Sequence, residues 1–127
     1  SQTMKFAFKH AIAAVLLMLS FAAPAAAGPL EDGYTAYTRG DFATATRLMR
    51  PLADQGHVTA QTVVGLMYYF NYGDYVSAYM WSRLAAAQGT AFAEMFLKDT
   101  AGKMTREQIA QAEELAREWN PTTQLPW

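Results

Sequence analysis

The sequence repeats itself at one constant offset, which is the separation of Gly40 and Gly73. The matches are Gly40-Asp41-Phe42 with Gly73-Asp74-Tyr75, Gln55-Gly56 with Gln88-Gly89, Ala45 with Ala78, Ala53 with Ala86, and Ala60 with Ala93. A period of this length is typical of helix–turn–helix repeats, in which each unit buries its apolar face only against its neighbours. The chain is therefore predicted to fold as a stack of antiparallel helix pairs.

The repeated glycines and aspartates indicate where helices end and begin. Gly40 and Gly73 are expected to end helices, because glycine adopts the left-handed backbone conformation without a steric penalty. Asp41 and Asp74 follow directly and are expected to cap the next helix, since a carboxylate accepts hydrogen bonds from the unpaired N–H groups of the first turn. Small alanines at positions 45, 60, 78 and 93 are expected to let paired helices approach closely.

These signals and the apolar spacing predict six helices, at residues 30–39, 41–55, 58–71, 74–88, 91–101 and 105–119. The last is the best specified, because Thr105 and Gln108 form a capping box and Pro121 stops the helix. No segment alternates apolar and polar residues over the length of a strand, so no strands are expected. The fold class is all-α, a short α-solenoid over residues 28–119 with an extended tail at 120–127.

The N-terminal segment, residues 1–27, has the three parts of a secretory signal peptide. Lys5 and Lys9 supply positive charge, residues 11–23 form an uncharged and mostly apolar run, and residues 25–27 are small alanines. The apolar run is clearly shorter than the roughly 20 residues that a membrane span needs. Export with cleavage after Ala27 is the prediction, which locates the mature chain in the periplasm.

A retained membrane anchor is the alternative for the same region. The uncharged stretch can be extended over residues 11–30, which reaches the length of a membrane span, although Pro24 and Pro29 interrupt it. The helical domain would then face the periplasm from the inner membrane, and the chain would be an accessory or structural subunit of a membrane protein complex. Both alternatives remain open at the level of the sequence.

Composition excludes several classes of function. Lys and Arg total 10 against 11 Asp and Glu, so the chain lacks the broad positive field of a nucleic-acid-binding protein. With no Cys, thiol nucleophiles, disulfides, thiolate zinc sites and iron–sulfur clusters are excluded. His57 is the only histidine after the N-terminal segment, and Asp54 is its nearest acid in the sequence, so we expect it to be a surface residue of a turn. We expect no metal, no cofactor and no enzymatic activity.

Residues 58–90 resemble one repeat of the Sel1-like family, a relative of the tetratricopeptide repeats. The matching positions are Ala60-Gln61, Val64-Gly65-Leu66-Met67-Tyr68, Gly73-Asp74-Tyr75, Ala78, Trp81 and Ala85-Ala86-Ala87-Gln88-Gly89. The flanking segments 33–57 and 91–101 resemble half-repeats, and residues 105–119 would form a capping helix. The resemblance implies an α-solenoid that binds other proteins, and exported members of the family look like adaptors or regulators in the bacterial envelope.

One departure from the family pattern concerns the connection within the repeat. Sel1-like repeats usually carry a glycine-rich loop between their two helices, whereas here Tyr68 and Asp74 are only six residues apart. Val64 also stands where leucine is usual. We therefore expect the pair to turn tightly, as tetratricopeptide repeats do.

Aromatic side chains are concentrated in the short segment from Tyr68 to Trp81, which holds seven of them. Tyr68, Tyr75 and Trp81 match repeat positions and are expected to pack between helices. Tyr69, Tyr72 and Tyr79 do not match such positions, so they are the candidates for an exposed groove that binds a partner helix or peptide. The alternative is a half-exposed surface without a ligand.

Two arginines and a terminal tryptophan complete the candidate binding residues. Arg47 and Arg50 lie three residues apart and share a helix face, where they could contact an acidic partner or lipid headgroups; ordinary surface charge is the alternative. Trp127 ends the tail and could anchor it in a partner, or the tail could fray. The predicted function is an exported module that binds another protein, and the alternative is the membrane-complex subunit described above.

Overall fold

The computed structural model describes residues 28–121, which fold entirely into helices and their connections. The helices are α1 (Pro29–Thr38), α2 (Phe42–Asp54), α3 (Val58–Met67), α4 (Tyr75–Ala86), α5 (Ala91–Ala101) and α6 (Arg106–Glu118), and a π-helical turn (Tyr68–Tyr72) extends α3. The predicted all-α class and the six helices are confirmed. The signal or anchor predictions for residues 1–27, and the prediction for Trp127, lie outside the described residues.

Helices that follow one another in the chain pack as neighbours from α1 to α5. The pairs in contact are α1 with α2, α2 with α3, α3 with α4, and α4 with α5. The last helix departs from this order, because α6 packs mainly on α4 and contacts α5 marginally at most. None of the helices within residues 28–121 is long and apolar enough to cross a bilayer.

The repeated turns have the geometry that the sequence predicts. Gly40 and Gly73 both adopt left-handed conformations, with φ of 79° and 65°. The side chains of Asp41 and Asp74 each accept a hydrogen bond from the backbone N–H three residues further on, at 3.2 and 3.0 Å. The capping box of α6 is also present, with both of its hydrogen bonds. These local signals are confirmed because each one depends on only a few consecutive residues.

The predicted helix 58–71 differs from the structure in its last turn. The α-helix ends at Met67, and residues 68–72 continue as a π-helical turn before Gly73 reverses the chain. The N–H of Asp74 closes the turn by donating to the carbonyl oxygen of Tyr68 at 2.9 Å. A π turn holds more residues than an α turn, so it rotates its side chains out of the helix's earlier register. The tight connection predicted from the short spacing is confirmed.

Small residues bring the helices together around one large side chain. Of the six repeated alanines, those at positions 45, 53, 60, 78 and 93 have no exposed surface, and Ala86 is half-buried. Trp81 is the largest fully buried side chain and is 2% exposed. Next to it, a Cβ atom on Gly65 would lie 3.1 Å from Ser82 Oγ, so α3 and α4 cross at a distance that only glycine permits without displacement.

A pair of glutamines connects three helices at one end of the stack. Gln61 is fully buried, and its Nε2 donates to the carbonyl oxygen of Ala53 at 3.3 Å. Gln88 Nε2 in turn donates to Gln61 Oε1 at 2.8 Å and to the carbonyl oxygen of Gly56 at 3.0 Å. The repeat offset marks Gln88 only as a turn residue, whereas the structure shows that its side chain ties the turn after α4 to the turn after α2.

Candidate functional site

Tyr69 and Tyr72 point to different helices. The hydroxyl of Tyr72 lies 3.3 Å from Thr46 Oγ1 on α2, and the side chain is 52% exposed. The hydroxyl of Tyr69 donates to Asp99 Oδ2 on α5 at 2.7 Å. The π-helical turn causes this divergence, because it places Tyr69 and Tyr72 on opposite sides of the end of α3.

The prediction that Tyr79 lines an exposed groove is wrong. Its side chain is only 7% exposed, because α6 packs over α4 at this point. Its hydroxyl donates to Glu113 Oε1 at 2.6 Å, and Arg83 Nε lies 3.4 Å from the other oxygen of the same carboxylate. Tyr79 therefore attaches α6 to α4, and the three predicted tyrosines form no common surface.

Both hydrogen-bonded tyrosines are held in the neutral form. The hydrogen bond from Tyr69 to Asp99, with a contribution from desolvation, raises the pKa of Tyr69 to about 12. Burial and the hydrogen bond to Glu113 raise the pKa of Tyr79 to about 12. In the unfolded chain a tyrosine has a pKa of about 10. The two phenols thus contribute stability that is fully present below pH 10 and is lost as the pH rises through 12.

Because the pKa of these two tyrosines is higher in the folded than in the unfolded chain, the free energy of unfolding should decrease between pH 10 and pH 12. The decrease should be smaller in Tyr79→Phe and Tyr69→Phe than in the wild-type chain, because phenylalanine has no proton to release. Urea unfolding followed by circular dichroism at pH 9, 10 and 11 measures the slope. Tyr72→Phe, a change at a side chain that is 52% exposed, is the control and should keep the wild-type slope. Equal slopes in all four proteins would contradict the assignment.

The two predicted arginines have different surroundings. Arg50 Nε pairs with Asp54 at 3.1 Å, its Nη1 donates to the Tyr68 hydroxyl at 3.2 Å, and its guanidinium lies 5.1 Å from the Trp81 ring centre. Since its side chain is 44% exposed, we expect this ion pair to add little stability. Arg47 is exposed and lies at the edge of a separate cavity between α1 and α2. Arg50 is thus engaged within the chain, while Arg47 is accessible.

A different surface has the features of a binding site, a groove between α1, α3 and α5. It holds a cavity of about 260 Å³ lined by Tyr34 of α1, Val58, Thr59, Thr62, Val63 and Leu66 of α3, and Thr90 and Phe92 beside and on α5. Tyr34 and Phe92 are 55% and 48% exposed. We call this surface the α1–α3–α5 groove.

An aromatic row continues from this groove along α5 to the π-helical turn. The rings of Phe92 and Phe96 stack with centres 6.2 Å apart, and Phe96 contacts Tyr69 at 5.1 Å. Tyr69 contacts Phe70 edge-on at 4.7 Å, and Phe70 is 66% exposed. The exposed ends of the row, Phe92 and Phe70, therefore extend the apolar surface over most of the length of α3.

One sequence signal could have located the groove. Residues 58–72 contain no charged side chain, although a helix with a solvated face normally carries several. Thr59, Thr62 and Leu66 have helical spacing and lie on the exposed side of α3. The density of tyrosines directed the prediction to Tyr69, Tyr72 and Tyr79, of which Tyr69 belongs to the aromatic row beside the groove.

No protein-family model matches the chain, and neither a curated protein nor a solved structure does. Within residues 28–121 there is no group of three or more His, Asp or Glu side chains placed to hold a metal ion. None of the residues that line the cavity of the α1–α3–α5 groove is charged, so this groove offers apolar and aromatic contact.

Proposed function

We propose that this chain is a short α-solenoid of the Sel1-like type that binds a helical segment of another protein in the α1–α3–α5 groove. The observation that carries the proposal is the exposure of Tyr34 and Phe92 on opposite walls of an apolar cavity. Exposed large side chains that line one concave surface indicate recognition more strongly than scattered ones do. The repeated caps at Asp41 and Asp74 support the solenoid, because equivalent turns recur at the repeat offset.

The dimensions of the groove suit about three turns of helix. Its floor runs along α3 from Thr59 to Phe70, a rise of about 16 Å at 1.5 Å per residue. A partner helix of that length presents apolar side chains at positions i, i+3 or i+4, and i+7. The cavity between Tyr34 and Phe92 accepts one or two of these side chains, and the aromatic row accepts the next.

The walls of the groove favour a helix over an extended peptide. All three walls are helices, whose backbone N–H and C=O groups are already paired, so they offer no edge to which a strand could add. An extended peptide would lose water from its own backbone groups without gaining partners. A helix satisfies its backbone internally and contributes only side chains.

We assign the module to the periplasm on the strength of the predicted signal peptide, where it would act as an adaptor or regulator. The intact mass of the native protein distinguishes this setting from the anchored subunit. A chain that begins at Gly28 supports the soluble periplasmic module. A chain that retains residues 11–30 supports the anchored subunit of a membrane complex.

Crosslinking in living cells tests the groove itself. A photoreactive phenylalanine at Thr62, on the groove floor, should crosslink to a partner, whereas the same group at Ala43, on the exposed side of α2, should not. The partner identified in this way is then purified. Its affinity for the wild-type chain and for two groove variants is measured by calorimetry.

Tyr34→Ser and Phe92→Ser should each weaken binding at least tenfold, because each removes an aromatic side chain from the walls. Leu115→Ser is the matched control, since Leu115 is an exposed apolar residue of α6 outside the groove and is 38% exposed. It should change the affinity less than twofold. Equal losses in all three variants would show that the partner binds elsewhere.

A further inference from the structure

A second cavity lies on another side of the molecule, between the start of α1 and the outer side of α2. Its volume is about 500 Å³, within the range typical of small-molecule sites. Leu30, Leu48, Pro51 and Leu52 form most of its wall. The α1–α3–α5 groove does not include any of these residues, so the two cavities are separate.

Two charged side chains, Glu31 and Arg47, lie at the edge of the cavity, and Gln55 and His57 complete its polar lining. Glu31 is next to the N-terminus of α1: its Oε2 is 3.0 Å from the position that a Cβ on Gly28 would occupy. Gly28 gives this helix no side-chain cap. The positive end of the α1 dipole therefore compensates the carboxylate of Glu31.

Arg47 is compensated only weakly: its charge helps to lower the pKa of Asp41, but the Asp41 carboxylate accepts a hydrogen bond from the N–H of Thr44 and forms no ion pair with Arg47. None of the ion pairs in residues 28–121 includes it, and its side chain is exposed at the edge of the aliphatic wall. The charge that remains for a ligand is therefore positive. An apolar ligand with one negative group matches both the wall and this charge.

We propose that this cavity binds a free monocarboxylate with a medium-length aliphatic chain, the chain against the leucines and the carboxylate beside Arg47. Each methylene group buried there should raise the affinity about fourfold. The carboxylate should add only about three- to fivefold, because an ion pair with an exposed arginine is weak. The aliphatic wall thus supplies most of the affinity, and Arg47 supplies the preference for an anion.

A titration of the full chain with octanoate and with 1-octanol tests both parts of the proposal. The two probes have the same chain length and differ in charge. Nitrogen–proton correlation spectra should show saturable shifts at Leu30, Leu48 and Leu52 with either probe. Octanoate should bind three- to fivefold more tightly, and this preference should decrease as the salt concentration rises.

Variants distinguish the contribution of the Arg47 charge to the affinity from that of the aliphatic wall. Arg47→Gln should remove the preference for octanoate and leave the affinity for 1-octanol unchanged. Arg39→Gln, at an exposed arginine after α1, should change neither. Pro51→Trp places a large ring in the cavity at an exposed position of α2 and should abolish the binding of both probes. It also removes a proline from within a helix, so the fold should tolerate it.

Three results would overturn the proposal. The first is the absence of saturable shifts at the three leucines. The second is an equal affinity for the two probes in the wild-type chain. The third is a shift of the same signals with protein concentration alone, which would identify a second copy of the chain as the occupant.

Discussion

Replacing Trp81 with alanine should lower the free energy of unfolding by about 3–5 kcal/mol. Trp81 is the largest buried side chain in the described part of the protein, and its neighbours are small or already packed, so they cannot fill the space. A domain of this size is typically stable by only about 5–15 kcal/mol, so the variant should lose a large share of its stability. Urea unfolding followed by circular dichroism in the far ultraviolet gives the difference.

Two further variants make the Trp81 result interpretable. Trp81→Phe keeps most of the apolar volume and should recover more than half of the loss. Trp119→Ala removes an equally large side chain that is only half-buried, where the ring lies 3.7 Å from the position of a Cβ on Gly56. It should cost clearly less than Trp81→Ala. Equal costs for the two tryptophans would mean that Trp81 is not the centre of the core.

Replacing Gly65 with leucine should cost about 3 kcal/mol, at the upper end of the range for an overpacked core. Any Cβ at this position would lie 3.1 Å from Ser82 Oγ and 3.4 Å from the Ala78 carbonyl oxygen. The additional leucine atoms would force α3 and α4 apart. They would also displace Trp81, whose Cβ lies 3.5 Å from the position of a Cβ on Gly65. Urea unfolding measures the loss, and retention of the wild-type midpoint would contradict the close helix crossing.

Gly65→Ala distinguishes a steric cost from a change in helix propensity. Alanine favours the helix over glycine by about 1 kcal/mol, which offsets a contact that is only a few tenths of an ångström too short. The single variant should therefore change stability by less than about 1 kcal/mol. Ser82→Ala removes the nearest atom, so the same glycine replacement should be more favourable in that background. Additive effects would show that Gly65 and Ser82 do not contact each other.

Local sequence signals predicted the helices and their ends well. The glycine turns, the aspartate caps and the capping box each depend on residues that are close in the chain, so their energetics can be inferred without knowledge of the rest. The burial of most of the repeated alanines also followed from the period, because a repeat places equivalent side chains at equivalent contacts. Ala86 is the exception, since it is only half-buried where its equivalent Ala53 is fully buried. The exact end of α3 did not follow, since the π-helical turn depends on contacts of its tyrosines with α2 and α5.

The proposed binding surface was harder to predict because burial depends on the placement of α6. Its apolar stripe indicates that α6 covers something, but not that it covers α4. That choice buries Tyr79, which was expected to be exposed, and leaves Phe92 of α5 exposed. The apolar cavity beside Arg47 is similarly invisible in the sequence, because its walls come from two helices whose distance the pattern does not specify.

The position of α6 also determines how such a chain can lengthen during evolution. Its contacts are with α4, and Trp119, which follows it directly, reaches the Gly56 turn of the preceding unit. A tandem duplication of residues 58–90 would recreate both surfaces, because the new unit repeats α4 and Gly89 of the old unit takes the place of Gly56. The terminal helix could thus be retained unchanged while the number of units grows, and the α3 face of each added unit would lengthen the groove.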